Sequence, residues 1–347
     1  MPSPKRISST QALADHLGLS RWTVSRALNG HPEIKESTRQ RVLEAMESEG
    51  FAPDPLARGL RGGSTGMVGV CFQELENPLL LSKVAALQEQ LRNAGYQPSI
   101  QNTNTDTKAE RRVIRRFISM RAEAVILFST ELKADDTVLA SLIEANITTV
   151  CIDPIHELPF PTIRVARAHA YPQAIRHLHR QGHREFALLG LEEQVIYGKE
   201  RMSGIYACLE ELDLDKDACT RHYVGPGRAD LDYQYGYDLA AQAIEQQEKA
   251  TAWIALNDRI AIGAARRIHE AGLSIPQDIA LAGFDNNAVS AFLNPPLTTV
   301  DQCVDEQMSA VMTLLNQSKE SGEPLDPSFL QFIEPKLVIR GSTLSTQ

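Results

Sequence analysis

A short segment near the start of the chain carries side chains that can hydrogen-bond to DNA. Residues 21–28 are predicted to form a helix whose buried side is marked by Val24 and Leu28, four residues apart. Trp22 lies about 200° around this helix from Val24, on the outward side. That side also carries Ser25, Arg26 and Asn29. Arginine can pair in bidentate fashion with guanine, serine and asparagine can bind phosphates, and an aromatic ring can contact a thymine methyl group. The pattern indicates a surface for the major groove; the alternative is that Trp22 packs beneath a neighbouring loop.

Candidates for catalysis and metal binding are weaker. His177 and His179 are two residues apart on a predicted helix and point to opposite sides, and His183 follows Gly182 in a turn. The chain contains no Walker loop and no G-x-G-x-x-G after a strand. We therefore predict no enzyme, no catalytic residue, no cofactor and no metal site.

The outward-facing helix is the second of three short helices that are predicted within residues 1–50. Ala12, Leu13 and Leu17 share one face of the first helix, and Gly18 ends it. Ser20 is predicted to cap the second helix through its hydroxyl. A turn separates it from a third helix over residues 37–49. Two short helices joined at a glycine and followed by a third predict an all-α helix-turn-helix head.

Residues 51–66 form a linker of different composition. Two prolines and four glycines flank a short helical pattern over residues 55–61. A helix of this length is not stable alone in water.

From residue 67 onward, strands and helices alternate. Strands are predicted at 67–72, 124–128, 148–152, 185–189, 252–256 and 279–283, and helices at 77–93, 134–145, 172–181, 199–212, 236–247 and 260–271. This alternation predicts an α/β body of two doubly wound parallel-sheet lobes. Ligands in such folds bind at the carboxyl ends of the strands or between the lobes.

Charge is distributed unevenly along the 347 residues, of which 43% are hydrophobic. Residues 1–42 contain seven Lys or Arg and three acids, a net charge of +4. Because the whole chain has a net charge of −9, the remaining residues carry a net charge of −13. A basic head on an acidic body favours a polyanionic partner for the head. The chain shows neither an apolar run of membrane-spanning length nor a secretory leader, and its five cysteines are scattered. These features predict a cytoplasmic protein with no membrane partner.

Several ordered motifs extend along the chain. The head and linker contain ALADHLGLSRWTVSRALNG (12–30) and TRQRVLEAMESEGFAPDPLARGLR (38–61). The body contains MVGVCFQELENPLL, HLHRQGHREFALLG, ERMSGI, NDRIAIGAARRIHEAGLSIPQDIALAGFDN, PPLTTVDQ and LVIRGST. In these motifs the chain resembles the lactose/galactose repressor family of transcription regulators. The resemblance implies a head at 1–50, a hinge helix and linker at 51–66, and a body at 67–347 of the periplasmic-binding-protein type. Lobe one is expected at 67–163 and 299–326, and lobe two at 164–298 and 327–347.

The resemblance also implies contacts with DNA. Arg21 and Trp22 occupy the two positions that set the operator sequence, and Arg26 occupies a base-contacting position. Ser25, Asn29 and Thr38 occupy phosphate-contact positions. In the hinge, Leu60 occupies the position that inserts into the minor groove, and Arg58 can neutralise a phosphate nearby. Lys35 stands where the family has a Ser or Thr helix cap.

An effector site between the lobes is implied in the same way. Arg201, Asn257 and Asp285 match polar ligand-binding positions of one lobe, and Asn77, Leu79 and Asp153 fall near the pocket mouth on the other. Leu231, with Tyr233 and Tyr235, belongs to the segment that carries an aromatic platform. Asp258 is expected to cap a helix rather than bind ligand. Ala166 and His169 replace acids common in the family, so the ligand is less hydroxylated on this side or is anionic, with Arg167 or His169 helping.

The sequence thus predicts a ligand-responsive transcription regulator, a homodimeric repressor that binds palindromic double-stranded operator DNA. A small molecule, most simply a sugar, is expected to control it. The alternatives are a purine or another non-sugar metabolite acting as co-repressor, and a cytoplasmic solute-binding protein without DNA function.

Overall fold

The computed structural model describes residues 7, 9–28, 31, 33–51, 65–194, 197–225 and 232–344. Contacts divide the chain into two compact units, Met1–Gly66 and Met67–Gln347. None of the described helices is long and apolar enough to cross a membrane.

The described part of the smaller unit contains three helices around a small apolar core. They are α1 (Thr10–Leu17), α2 (Arg21–Leu28) and α3 (Glu36–Ser48). Gly18 ends α1 in the left-handed conformation with φ 64°, which glycine adopts without steric cost. The Ser20 hydroxyl accepts a hydrogen bond from the Thr23 amide at 3.0 Å, so the predicted cap of α2 is confirmed. The core side chains are Leu13, Ala14, Leu17, Val24, Ala27, Val42, Ala45 and Phe51.

The larger unit contains two parallel sheets flanked by helices. Its strands are β1 (Met67–Phe72), β2 (Gln97–Asn102), β3 (Ala124–Phe128), β4 (Thr148–Ile152), β5 (Thr162–Val165), β6 (Phe186–Leu189), β7 (Thr220–Tyr223), β8 (Ala252–Ala255), β9 (Ala280–Ala282), β10 (Thr299–Asp301), β11 (Leu330–Ile333) and β12 (Lys336–Val338). Its helices are α4 (Pro78–Asn93), α5 (Thr107–Ser119), α6 (Thr137–Glu144), α7 (Arg167–Arg180), α8 (Gly198–Glu211), α9 (Lys216–Cys219), α10 (Tyr233–Glu245), α11 (Asp258–Glu270) and α12 (Val304–Ser321).

The order of the strands defines the two lobes. The first sheet runs β11-β5-β4-β3-β1-β2 and the second runs β7-β6-β8-β9. Strands β10 and β12 form a separate antiparallel pair. All pairings within the two larger sheets are parallel, which agrees with the predicted doubly wound architecture.

The observed lobe boundaries differ from the expected ones. Residues 327–347 were expected in lobe two, yet β11 pairs in parallel with β5 at the edge of the first sheet. The reason is that the chain completes the first sheet after α12 and crosses to β12 only afterwards. Strand β5 extends to Val165, so lobe one also continues past the expected residue 163.

Helix α7 begins at Arg167, five residues before the predicted start at Pro172. Proline lacks the N–H that would bond the carbonyl of Ala168. That carbonyl packs instead against Gly204 of α8, where a Cβ atom would lie only 1.9 Å from the Ala168 oxygen. The absence of a side chain at Gly204 therefore leaves room for the Pro172-containing turn.

Candidate functional site

The outward side of α2 carries an aromatic and a cationic side chain in contact. Trp22 is 60% exposed, whereas Val24 on the opposite side is fully buried. The Arg26 guanidinium lies 3.9 Å from the centre of the Trp22 ring and also pairs with Glu33. The predicted exposure of Trp22 is confirmed, and the alternative that it packs beneath a loop is wrong among the described residues.

The other described DNA-site candidates of the head lie on α2 and α3. Arg21 is exposed at the start of α2, Ser25 is half-buried on it, and Thr38 is half-buried in the first turn of α3. Lys35 precedes α3 without a side-chain cap hydrogen bond, as expected from its replacement of Ser or Thr. The candidates Asn29, Arg58 and Leu60 lie outside the described residues.

The cleft candidates follow strands of both sheets. Asp153 comes directly after β4 of the first sheet, and Asp285 follows β9 of the second. Arg201 lies in the first turns of α8, where its guanidinium is 5.8 Å from the Phe284 ring. Because carboxyl ends of parallel strands face the cleft in such folds, this arrangement brings Asp153, Arg201 and Asp285 into one region.

Asp153 is buried and its carboxylate is fully engaged by other protein groups, rather than open at the pocket mouth as expected. One oxygen accepts from Arg167 Nη1 at 2.7 Å and from the Val165 amide at 3.1 Å. The other accepts from Lys83 Nζ at 2.9 Å. The cations Arg167 and Lys83 hold the pKa of Asp153 well below its ordinary value, although burial opposes this. Asp153 is therefore an ionised anchor for two cations.

The hydrogen bonds continue from Lys83 into the second lobe. Lys83 Nζ also donates to Gln302 Oε1 at 3.0 Å, and Gln302 Nε2 donates to Asp285 Oδ1 at 2.8 Å. We call the chain Arg167–Asp153–Lys83–Gln302–Asp285 the inter-lobe network. Burial, and then repulsion from Asp258, raise the pKa of Asp285 to about 7. Asp285 is therefore divided between its neutral and charged forms at neutral pH.

Three arginine side chains lie close to the Tyr197 ring. The guanidinium carbons of Arg164, Arg167 and Arg201 lie 5.7, 4.0 and 5.9 Å from the ring centre. The Tyr197 hydroxyl donates to the backbone oxygen of Asp153. This ring thus connects the start of α8 with the end of β4.

Sequence reasoning missed Lys83, Gln302 and Tyr197. A signal existed for Lys83, because it lies on the buried side of α4 beside Val84 and one turn from Leu80 and Leu87. A lysine on an otherwise apolar helix face requires a partner. Gln302 and Tyr197 carry no comparable signal, since each acquires its role through contacts distant in sequence.

Two expected ligand-binding residues cap helices. The Asn257 side chain accepts from the Ile260 amide at 2.9 Å and caps α11, and Asn77 caps α4 by accepting from the Leu80 amide at 3.3 Å. The expectation that Asp258 is the cap is wrong. Asp258 is fully buried and accepts hydrogen bonds from the Asn287 amide and the Ser290 and Thr299 hydroxyls. These bonds stabilise the loop after β9. Burial raises its pKa to about 6.

The remaining described candidates differ in exposure and in their contacts. Leu79 and Asp285 line the same cavity of about 320 Å³. Leu231 lies outside the described residues. Tyr233 is 46% exposed, whereas the Tyr235 hydroxyl accepts from the Gly225 amide at 3.0 Å and its ring packs on the core. His169 is exposed and pairs with Glu334 at 2.9 Å.

The histidines considered as metal ligands bond elsewhere. His177 Nε2 lies 2.8 Å from the Thr343 hydroxyl, and His183 Nδ1 lies 2.8 Å from the Thr251 hydroxyl. The described residues contain no group of three or more side chains placed to hold a metal ion.

Comparisons with known proteins agree with this two-unit organisation. Residues 11–54 match the family of bacterial regulatory proteins, lacI family, and residues 175–343 match the periplasmic binding protein-like domain. An uncharacterized HTH-type transcriptional regulator in the aml 5′ region of Streptomyces limosus is 30% identical over 99% of this chain and 95% of its own length. The HTH-type transcriptional regulator MalR of Streptomyces coelicolor is 30% identical over 96% of each chain. A crystal structure of the lac repressor dimer bound to operator and the anti-inducer ONPF superposes with a TM-score of 0.79 at 23% identity, covering 97% of this chain and 99% of that one. The chain belongs to the lacI family of bacterial transcription regulators.

Proposed function

We propose that this regulator is a homodimeric repressor that binds a palindromic operator and is controlled by a small molecule in its inter-lobe cleft. The exposed Trp22–Arg26 pair on α2 is the observation that carries the proposal. A large indole exposed beside a guanidinium has no role in the core of the head, and the two groups can contact base edges in a major groove. The lac repressor structure, a dimer on operator DNA, supplies the assembly to which we compare it.

The cleft supports control by a ligand because its polar groups come from both lobes. Asp153 and Lys83 belong to elements of the first sheet, whereas Asp285, Arg167 and Arg201 belong to elements around the second. A ligand that replaces one link of the inter-lobe network changes the relative stability of two lobe arrangements. It shifts the equilibrium only by its difference in affinity for the two, typically about 1–3 kcal/mol.

We assign no catalytic step to the cleft, and we place the protein in the cytoplasm with its DNA. The cleft carboxylates are already engaged, because Asp153 accepts three hydrogen bonds and Asp285 accepts one from Gln302. The effector proposed here is a molecule of sugar size bound without chemical change. Recovery of a bound ligand as a converted product would contradict this assignment.

The direct test is selection of bound duplexes from a random DNA pool by the full chain at near-physiological salt. We expect a two-fold palindrome with a flexible pyrimidine–purine step at its centre, since such steps kink most easily. The Arg26→Ala variant is expected to lose or alter that sequence. The matched control is Arg266→Ala, which removes the same charge from an exposed site on α11. Binding that is sequence-blind and equally weakened in both variants would reject the proposal.

A further inference from the structure

The cleft holds a surplus of buried hydrogen-bond donors over acceptors. Four cations lie together there: Lys83, Arg164, Arg167 and Arg201. The carboxylates facing them are Asp153, Glu200 and Asp285. Asp258 lies behind them and is held by two hydroxyls, an amide and the charge of Arg340. Because Asp285 is only partly ionised at neutral pH, cationic charge exceeds anionic charge at the centre of the cluster.

Two of these guanidinium groups contain buried atoms without an acceptor. The Nε–H groups of Arg164 and Arg167 donate to no described acceptor, although both are inaccessible to solvent. Arg167 bonds Asp153 through Nη1, and Arg164 reaches the Pro154 oxygen and Glu200 through its terminal nitrogens. A buried N–H without an acceptor is costly. A ligand that supplies acceptor oxygens at this place removes that cost.

Asp153 has little capacity to accept hydrogen bonds from ligand hydroxyls. Asp153 already accepts from Arg167, Lys83 and the Val165 amide. Each hydroxyl of a neutral polyol donates one hydrogen bond and can accept two, so a polyol needs acceptors as well as arginines. An anionic oxygen group needs donors alone, and arginine presents them in a planar fork that matches carboxylate or phosphate.

We propose that the effector of this regulator carries an anionic group, a carboxylate or a phosphate, which is bound by Arg167 and Arg201 beside the Tyr197 ring, with Lys83 and Arg164 at its sides. This inference rests on the proposed function, because it names the chemistry of the effector for the same cleft. Binding of the anion weakens the hold of Arg167 and Lys83 on Asp153, and so couples the ligand to the inter-lobe network.

The test uses simple anions as probes on the full chain. Thermal unfolding is followed in inorganic phosphate, in acetate and in chloride, at equal ionic strength and pH. The Trp22→Phe background confines the fluorescence to Trp253 of the larger unit, so binding of phosphate to the basic head is not recorded. At roughly ten times the dissociation constant of the probe we expect Tm to rise by about 3 °C. A response to phosphate alone indicates a phosphorylated effector, a response to acetate alone a carboxylated one, and a response to both an anion site open to either.

Variants locate the binding. Arg167→Lys retains the charge that pairs with Asp153 and thus the fold, but loses the planar fork, so the Tm response is expected to fall by at least about half. Arg201→Lys provides a second variant should the first unfold. Arg266→Gln is the surface control and is expected to respond as the wild type does. An equal Tm for the wild type in all three salts would overturn the inference. So would a Tm response in Arg167→Lys and Arg201→Lys that equals the response of the wild type. Selection of a palindromic operator by the wild-type chain, which retains Trp22, tests the proposed function separately, so failure of the anion site is distinguishable from failure of the proposed function.

Discussion

The head and the cleft present polar side chains in opposite ways. In the head, Trp22 and Arg21 are exposed on α2, and a core of few apolar side chains holds that helix in place. In the cleft, Asp153, Lys83 and Arg167 are almost completely buried, and they fix one another. A surface for a large partner can remain solvated until the partner arrives. A site that encloses a small molecule must keep its charges paired while it is empty.

This difference determines where a substitution acts. Removing a cleft charge leaves its partner buried without compensation, so stability changes first. Removing an exposed charge of the head leaves nothing buried, so binding changes first.

Asp153→Asn is expected to lower the free energy of unfolding of the larger unit by about 3–5 kcal/mol, because it leaves Arg167 and Lys83 without their shared counter-charge. Urea unfolding followed by Trp253 fluorescence in the Trp22→Phe background measures it. The exposed pair of Glu306 with Lys336 provides the control, and Glu306→Gln is expected to leave the midpoint unchanged. Equal midpoints for the two variants would show that burial does not distinguish these pairs.

Arg26→Ala is expected to weaken binding to the selected operator about 10- to 100-fold, through loss of a base contact of about 1–3 kcal/mol, while unfolding of the larger unit stays unchanged. A filter-binding or polarisation titration at fixed salt measures the affinity. The body variant Arg266→Ala is expected to bind as the wild type does. If the variant loses affinity for the operator but not for random DNA, Arg26 recognises bases. A fall that is the same for operator and random DNA identifies a phosphate contact instead.

The sequence predicts the exposed surface of the head more fully than the buried cleft, because the cleft depends on contacts between residues that are distant in sequence. On α2, the helical period alone places Val24 inside and Trp22 outside, and the structure agrees. The parallel α/β body follows from alternating patterns such as β1, β3, β4 and β8, whose apolar runs are buried on both faces. Local patterns therefore suffice where each element packs by its own periodicity.

Elements with mixed patterns were not predicted. Strand β11 exposes Leu330 and Phe332, so its sequence lacks the apolar run of a buried strand, and its lobe was misassigned. The sequence predicts that α7 begins at Pro172, and proline disfavours a helix interior, yet Gly204, distant in sequence, makes room for Pro172 inside the helix. In the cleft, Gln302 bonds Lys83 across more than two hundred residues. Such partners depend on the tertiary arrangement, which no local pattern contains.

Asp285→Asn is expected to make the larger unit more stable at pH 8, by on the order of 1 kcal/mol, and to lose this advantage towards pH 4. The pKa of Asp285 is raised to about 7 by burial and Asp258, above the value of about 4 in an unfolded chain. The folded state therefore holds a proton that the unfolded state releases, and this group destabilises the fold progressively as pH rises from about 4 through 7. Asparagine removes the charge but still accepts the bond from Gln302.

The pH series for Asp285→Asn is read as a difference between variant and wild type. Asp258 and Glu110, whose pKa values are also raised, to about 6 and about 7, are present in both proteins and largely cancel. Trp253 fluorescence in urea at each pH supplies the data. A difference in stability that is constant from pH 4 to pH 8 would mean that Asp285 is charged in the folded protein throughout, so that Gln302, Arg201 and Lys83, which favour the carboxylate, outweigh burial and Asp258.

Lys35→Ser is expected to stabilise the head by about 0.5–1 kcal/mol, the smallest of these effects. Lys35 has the extended conformation of a helix cap, with φ −60° and ψ 138°, but its side chain makes no cap bond. A serine hydroxyl at this position can accept from the free amides of the first turn of α3. Lys35→Ala removes the same amine without adding an acceptor, so a gain confined to serine isolates the cap. Trp22 fluorescence in a Trp253→Phe background reports unfolding of the head. If both variants also bind operator more weakly at low salt, the lysine contributes a phosphate contact, and the head has exchanged a helix cap for an exposed charge.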